Sequence, residues 1–449
     1  MQRLLVAEGV SLGRDGEALV VADELGERRI PLTSEVVRRI VRLADRPCTV
    51  DELAQGLLTA HDGLRQLALL SSTARDLLAL GFIDQIAELD GVVVARLVRK
   101  GNLPLRGGDP PEDAVVSRHA VATRAGRWVV LDSGIGCGLV RVDPSVAGHV
   151  LSGEGVGPGE RLSVLRELLW RAGLLVPVSS EESLEQMMWD PVDLLMIERA
   201  NDSSADRRYG GTYRYHGVFP APPLVEPIRA DELVELPDPD PAGWFREDEP
   251  FGAISERRRS VSSFRQDIAP TLRQVANVLH RSARVQYRFH DDKGVEVSRR
   301  PAAGGGALHE LDLYLAVDRV DGLDQGLWRY NPVDNVLERV HCSSDPSALI
   351  DEATKAVWSR TRPPVTIIMV ARFARVLWKY EGVGAALVLK DVGVLMHALH
   401  LSAVAEGLGA CALGNDSAHV FERVTGLGFP SHGPVGQLVI GVGKGGEQR

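Results

Sequence analysis

The 449-residue chain has only four cysteines, Cys48, Cys137, Cys342 and Cys411, and no two form a CxxC pair. That scarcity excludes a disulfide scaffold and argues against a cysteine-held zinc site, so no metal is expected. No apolar run approaches the roughly 18 residues that a membrane span needs. The opening MQRLLVAEGVSLGRDGE is charged too early for a secretory signal, and the cytoplasm is the expected location. Positive charge is also short. Fifty-one Lys and Arg face 61 Asp and Glu, a net charge of -10, which argues against a general nucleic-acid binder.

What is present is the composition of a globular protein, 44% hydrophobic and 25% charged, at a length that suggests two to four domains. Residues 1–99 read as short strands, RLLVAEGV, ALVVAD and RRIPL, followed by helices with apolar residues at helical spacing. Thr33 and Ser34 open SEVVRRIVRLA. Thr49 can cap TVDELAQGLL, with Glu52 three residues on as in a capping box. STARDLLALGFI stops at Gly81. Helix, helix, helix and closing strand is a winged-helix order.

Residues 100–180 repeat that order. AVVSRHAVATR and RWVVLDS are strand-like, Asp143-Pro144-Ser145 starts a short helix, and RELLWRAGLLVP copies the RDLLALGFID ending of the first unit. Two tandem winged-helix-like modules are expected. Asp51, Glu52 and Glu167 on the candidate helices make a DNA-reading face unattractive. Two uses remain open: a structural role, or capture of an extended peptide at a strand edge. A basic cluster, Arg96, Arg99, Lys100 and Arg106, could meet an acidic peptide or be an ordinary solvated face. Residues 181–250 form a linker arm: an apolar helix SLEQMMWDPVDLLMIERA, then Gly-, Pro- and Tyr-rich sequence. The acidic ELPDPDPAGWFREDEP that follows is expected to run extended over a surface.

From residue 251 to 449 the pattern becomes α+β. TLRQVANVLHRSA is a helix. The Gly-rich AAGGGA turn precedes the strand ELDLYLAV, GLWRYNPVDNVLERV forms a hairpin, and PVTIIMVARF is a nearly unbroken apolar strand, hence buried. LKDVGVLMHALHLSAVAEGLG is a long helix stopped by Gly407 and Gly409, and GQLVIGVG is a final strand. ARFARVLWKY reads as a continuation of the apolar strand, with Lys379 and Tyr380 at its exit. As neighbours on a strand they would point to opposite faces. Arg258 and Ser260, two apart before a helix, could together donate to one phosphate. The Gly304-Gly305-Gly306 run lets backbone N–H groups come close to a flat ring.

Several of these motifs, in this order, resemble the azoline-oxidising dehydrogenases of the nitroreductase-like flavoproteins. Arg258-Arg259-Ser260-Val261 with Phe264 resembles the opening Arg-Arg-Ser motif. Arg300 to His309 followed by Leu311-Asp312-Leu313-Tyr314 resembles RPYPSGGALHPLELYL. Trp378-Lys379-Tyr380 resembles the Lys-Tyr pair, and Asp391-Val392-Gly393 and Glu406-Gly407-Leu408-Gly409 resemble the DAGH and LGLG segments. In the arm, Trp189-Asp190-Pro191 and Tyr209-Gly210-Gly211-Thr212 also fit.

The resemblance implies a nitroreductase-like domain that binds FMN through Arg258, Ser260, Ser262, Gly304, Gly305, Gly306, Gly407 and Gly409. It implies oxidation of thiazoline or oxazoline rings to thiazoles or oxazoles in a ribosomally made precursor peptide. Lys379 or Tyr380 would remove the Cα proton while the flavin accepts hydride from Cβ. A lysine whose pKa is lowered by burial would suit that task. A homodimer, and a complex with a cyclodehydratase, are implied as well. The chain departs from the family at Ser262, Ala303-Gly304, Ala386 and Val394, where flavin-contacting groups usually stand, and Arg265 could replace one of them. Two alternatives stay open: an NAD(P)H-dependent reductase of small molecules, and a flavin-free peptide-binding scaffold.

Overall fold

The computed structural model describes residues 3–23, 26–59, 61–100, 103–152, 162–201, 208–357, 361–414 and 418–444. They group into two compact units, residues 1–210 and 211–449.

In the first unit the expected helices form where the capping residues put them. Thr33 caps Ser34–Asp45 by accepting from the Val36 amide, and Thr49 and Glu52 make the expected capping box at Val50–Ala54. Helix Gly63–Ala79 and the hairpin of Ile83–Leu89 with Val92–Arg99 complete a winged-helix order. The second half contributes helices Pro144–Ser152 and Ser163–Arg171. The two halves share one sheet, because Val92–Arg99 pairs antiparallel with Gly138–Val142. The expected single helix around residue 189 is two, Leu184–Met188 and Pro191–Asn201, parted at Trp189-Asp190 where Pro191 removes an amide donor.

The basic cluster is spent inside this unit. Arg96 and Lys100 are 8% and 1% exposed; Arg96 pairs with Asp84 at 3.1 Å and Lys100 with Asp132 at 2.7 Å. Arg106 stacks over Trp170 and Arg99 donates to the Leu103 carbonyl. Arg96 and Lys100 therefore do not belong to an acidic-peptide face, and only Arg99 and Arg106 of the cluster are partly exposed.

The second unit is built on a seven-stranded, wholly antiparallel sheet. In spatial order its strands are Ala230–Glu235, Val336–Val340, Gly326–Asn331, Leu311–Val317, Val365–Arg372, His432–Gly441 and Gly409–Leu413. Alternation explains why the central strands are apolar throughout. Leu313, Leu315, Ile367 and Met369 face helices Leu272–Ala283 and Gly384–Ala405, while Tyr314, Ala316, Ile368 and Val370 face helices Ser347–Ala356 and Ala418–Thr425. Each fully buried side chain of this size contributes roughly 1.5–3 kcal/mol. Both faces are covered, so every residue of Val365–Arg372 is buried.

Two elements depart from expectation. Ala230–Glu235, within the supposed arm, is an edge strand of the main sheet. Helix Gly384–Ala405 is long and apolar enough to cross a membrane by length and composition, although the sequence showed no such run. In the structure it packs on strands His432–Gly441 and Gly409–Leu413 as a core helix.

Candidate active site

The apolar strand does not run on to Tyr380. It ends at Arg372, and Phe373–Leu377 is a short helix. Within it Arg375, 1% exposed, turns inward and donates to the carbonyls of Leu308 at 2.6 Å and of Pro222 and Glu296 at 2.7 Å. One guanidinium thereby ties together the end of the Gly-rich turn, residues of the former arm and the hairpin of Tyr287–His290 with Glu296–Arg299. Arg372 adds bonds to the Pro223 and Leu224 carbonyls, and the Trp378 indole to that of Phe219.

After the helix, Lys379 and Tyr380 reach the same place, not opposite faces. A β-carbon on Gly306 would lie 2.2 Å from the Tyr380 hydroxyl oxygen and 3.2 Å from Lys379 Nζ. Only glycine fits there, and it does so at φ 59, the left-handed region. Ala307 and His309 are also left-handed, at φ 59 and 48. Strained residues concentrated in one short turn are typical of functional sites. On the other side of the turn the Gly305 amide donates to Asp391 at 2.7 Å.

Lys379 is not a neutral base. Burial pushes its ammonium down, but hydrogen bonds with Tyr213 and Asp291 outweigh that, and the net shift is upward. The geometry agrees. Lys379 Nζ is 3.2 Å from Asp291 Oδ2, and the Tyr213 hydroxyl donates to the same oxygen at 2.9 Å. For Asp291, burial raises the carboxyl, while bonds from the Val295 amide, Tyr213, the Lys293 amide and Lys379 bring it below its usual range. The expectation of a lysine lowered by burial is therefore corrected: a carboxylate 88 residues away in sequence holds it charged. Sequence reasoning missed both partners. Tyr213 follows the quoted Tyr209 to Thr212 motif directly, which was the available signal; Asp291 lies in a hairpin turn, DDKG, that reads as an ordinary loop.

The second group of expected residues lies near the other end of helix Gly384–Ala405. Asp391, under the turn, and His400, which bonds the Arg259 carbonyl at 3.1 Å, are separated by about 14 Å along Gly384–Ala405 at 1.5 Å per residue. Arg258 ends helix Phe251–Arg257 and is half-buried, and Ser260 bridges to Ala410. Ser262 is half-buried. Burial raises the Cys411 thiol, and the Ser260 hydroxyl beside it opposes the shift. Gly407 stops the helix at φ 71, and Gly409 lets strand Gly409–Leu413 pass Val261, where a β-carbon would come within 2.7 Å. These two glycines have structural reasons of their own. Arg265 pairs with Asp267 at the surface.

The donor set fits FMN. Among the described residues, neither Arg258 nor Arg259 has an acidic partner, so two guanidinium groups beside the exposed Ser260 are available to a phosphate. Gly306 is exposed at its turn, although the Gly305 amide is already taken by Asp391. Among the described residues no His, Cys, Asp and Glu group could hold a metal ion.

Residues 256–444 match the Nitroreductase family. A Methanocaldococcus jannaschii protein described as "Putative nitroreductase MJ1384" is 27% identical over 158 residues, 35% of this chain and 75% of its own. Solved structures that are similar include an FMN-dependent nitroreductase from Clostridium difficile R20291, at 13% identity, 43% and 88% coverage and TM-score 0.28. Another is the E. coli microcin synthetase McbBCD complex with truncated pro-MccB17 bound, at 17% identity, 58% and 97% coverage and TM-score 0.35. The C-terminal part of the chain, over residues 256–444, is a nitroreductase-family domain with a nitroreductase-like oxidoreductase fold.

Proposed function

We propose that this domain is an FMN-dependent dehydrogenase that oxidises azoline rings in a ribosomally made peptide. The observation that carries the reading is the meeting of Gly306, Lys379 and Tyr380 at one strained turn, with Arg258, Arg259 and Ser260 available to a phosphate on the same domain. In it, Arg258 and Ser260 hold the FMN phosphate, and the Gly304–Gly306 turn lets the ring approach the backbone. Bound FMN supplies the hydride acceptor.

The protein's own part is proton handling and orientation. Lys379 stays an ammonium paired with Asp291, so it positions and supplies charge rather than taking a proton. Tyr380, whose hydroxyl abuts the turn and whose ring lies 5.6 Å from the Lys379 ammonium, is assigned to accept the Cα proton as its phenolate, becoming the neutral phenol. The first unit, a winged-helix order with the open sheet-edge strand Val121–Ala125, is assigned to the precursor peptide. A homodimer is included, supported by Leu389 and Val394, 50% and 43% exposed on helix Gly384–Ala405; so is a complex with a cyclodehydratase.

Flavin retention tests the cofactor. Protein incubated with FMN and desalted retains an oxidised-flavin spectrum, and Arg258→Ala loses it first. Folded protein with no measurable FMN affinity would overturn the reading.

A further inference from the structure

Behind the Gly-rich turn lies a carboxylate that the reaction does not use. Glu310 is 0% exposed, and among the described residues no side chain other than the neighbouring acid Asp391 is in place to share a hydrogen with its carboxylate oxygens. It lines a cavity of about 20 Å³ together with Asp391, Arg300, His309 and Ser282. That volume admits roughly one water. An ionised carboxylate without partners is too costly to bury, so a group in this position is kept neutral by holding a proton. Its acidic neighbour is Asp391, the residue that accepts the Gly305 amide at 2.7 Å.

We propose that Glu310 and Asp391 hold one proton between them, and that this proton fixes the Gly304–Gly306 turn against Lys379 and Tyr380. With Glu310 neutral, Asp391 keeps its charge and its bond to the Gly305 amide. With both ionised, two like charges line one small cavity. Asp391 relieves the repulsion by leaving the amide, and the left-handed residues Gly306, Ala307 and His309 lose the anchor that over-determines them. Glu310 is thus a positioning residue acting through Asp391.

The surrounding charges set where this happens. Burial first and then Asp391 raise Glu310, its own backbone amide and Arg372 on strand Val365–Arg372 oppose, and the net position is about 7. Burial also raises Asp391, against its bond from Gly305. His309, pushed down to about 3 by burial and by Arg300 and Arg375, stays neutral. Arg300, lowered by burial to about 10, remains a cation at neutral pH. The pair therefore loses its proton near neutrality. The functional consequence rests on the Gly-rich turn facing the cofactor; the proton sharing does not.

The test accordingly needs no flavin. Infrared difference spectra of the full chain are recorded across neutral pH for wild type, Glu310→Gln and Asp391→Asn, with hydrogen exchange of residues 304–309 normalised to intrinsic rates. Wild type shows the carbonyl stretch of a protonated acid, which fades as pH rises through about 7, and Glu310→Gln lacks it. Protection of the turn in wild type falls over the same range, by up to about tenfold per pH unit, the limit for one proton, and is flat in Glu310→Gln. In Asp391→Asn the repulsion is gone, so protection is again flat and the acid band fades at lower pH. Absence of the band from wild type would overturn the shared proton. Equal pH dependence of turn protection in wild type and Glu310→Gln would overturn the positioning role.

Discussion

The hydroxyl of Tyr380 occupies the space where a side chain at Gly306 would begin, 2.2 Å from the position of a β-carbon there. Gly306→Ala must push the phenol away and also place alanine at φ 59. The left-handed conformation alone costs about 1–2 kcal/mol. Urea unfolding is expected to show at least that loss. In a Tyr380→Phe background the loss is smaller, because the overlapping oxygen is gone. Equal losses in the two backgrounds would contradict the contact.

The Lys379–Asp291 pair predicts a particular pH behaviour. Lys379 is raised on folding, so its stabilisation is complete below its usual 10.5 and is lost as pH rises through the higher folded value. Asp291 is lowered, so its stabilisation is complete above its usual 3.8 and is lost as pH falls through the lower folded value. Between those limits the stability difference between wild type and Lys379→Met is expected to be flat. A step near neutrality would show that Lys379 titrates there and would restore it as a candidate base.

How far the sequence revealed this site depended on sequence distance. The strand Val365–Arg372, the hairpin that follows Gly326 and the helix ends at Thr49 and Gly407 follow from local chemistry, and they form as expected. Lys379 and Tyr380 were found by motif. Their geometry was hidden, because the short helix Phe373–Leu377 intervenes and its Arg375 is tied to carbonyls at 222, 296 and 308, all distant in sequence. The partner of Lys379 was hidden for the same reason: no local pattern links a turn aspartate to a lysine 88 residues later. Glu310 read as the first residue of the strand ELDLYLAV, and only its burial and its unsatisfied carboxylate single it out.

Arg258 is expected to contribute directly to FMN affinity. Arg258→Ala should weaken binding by about 1.5–3 kcal/mol, the scale of a charge-assisted hydrogen bond, as read by fluorescence titration. Arg265→Ala should leave affinity unchanged, because Asp267 already occupies that guanidinium. Similar losses in both would point to a general charge effect instead of a phosphate site.

The first unit is expected to serve the peptide and not the flavin. A fragment of residues 211–449, cut where the compact units divide, should keep FMN and lose processing of full-length precursor. Loss of flavin binding together with peptide processing would give the first unit a structural role.

Ring oxidation itself is the most direct test. FMN-loaded wild type and Tyr380→Phe are incubated with a thiazoline-bearing peptide in air, and the peptide mass is followed with time. The account predicts loss of two hydrogens per ring with wild type, and a rate lower by about 10²–10⁴ with Tyr380→Phe, the usual cost of removing a general base. A peptide left unchanged by flavin-loaded wild type would contradict the assignment. Equal rates for the two proteins would contradict the role given to Tyr380.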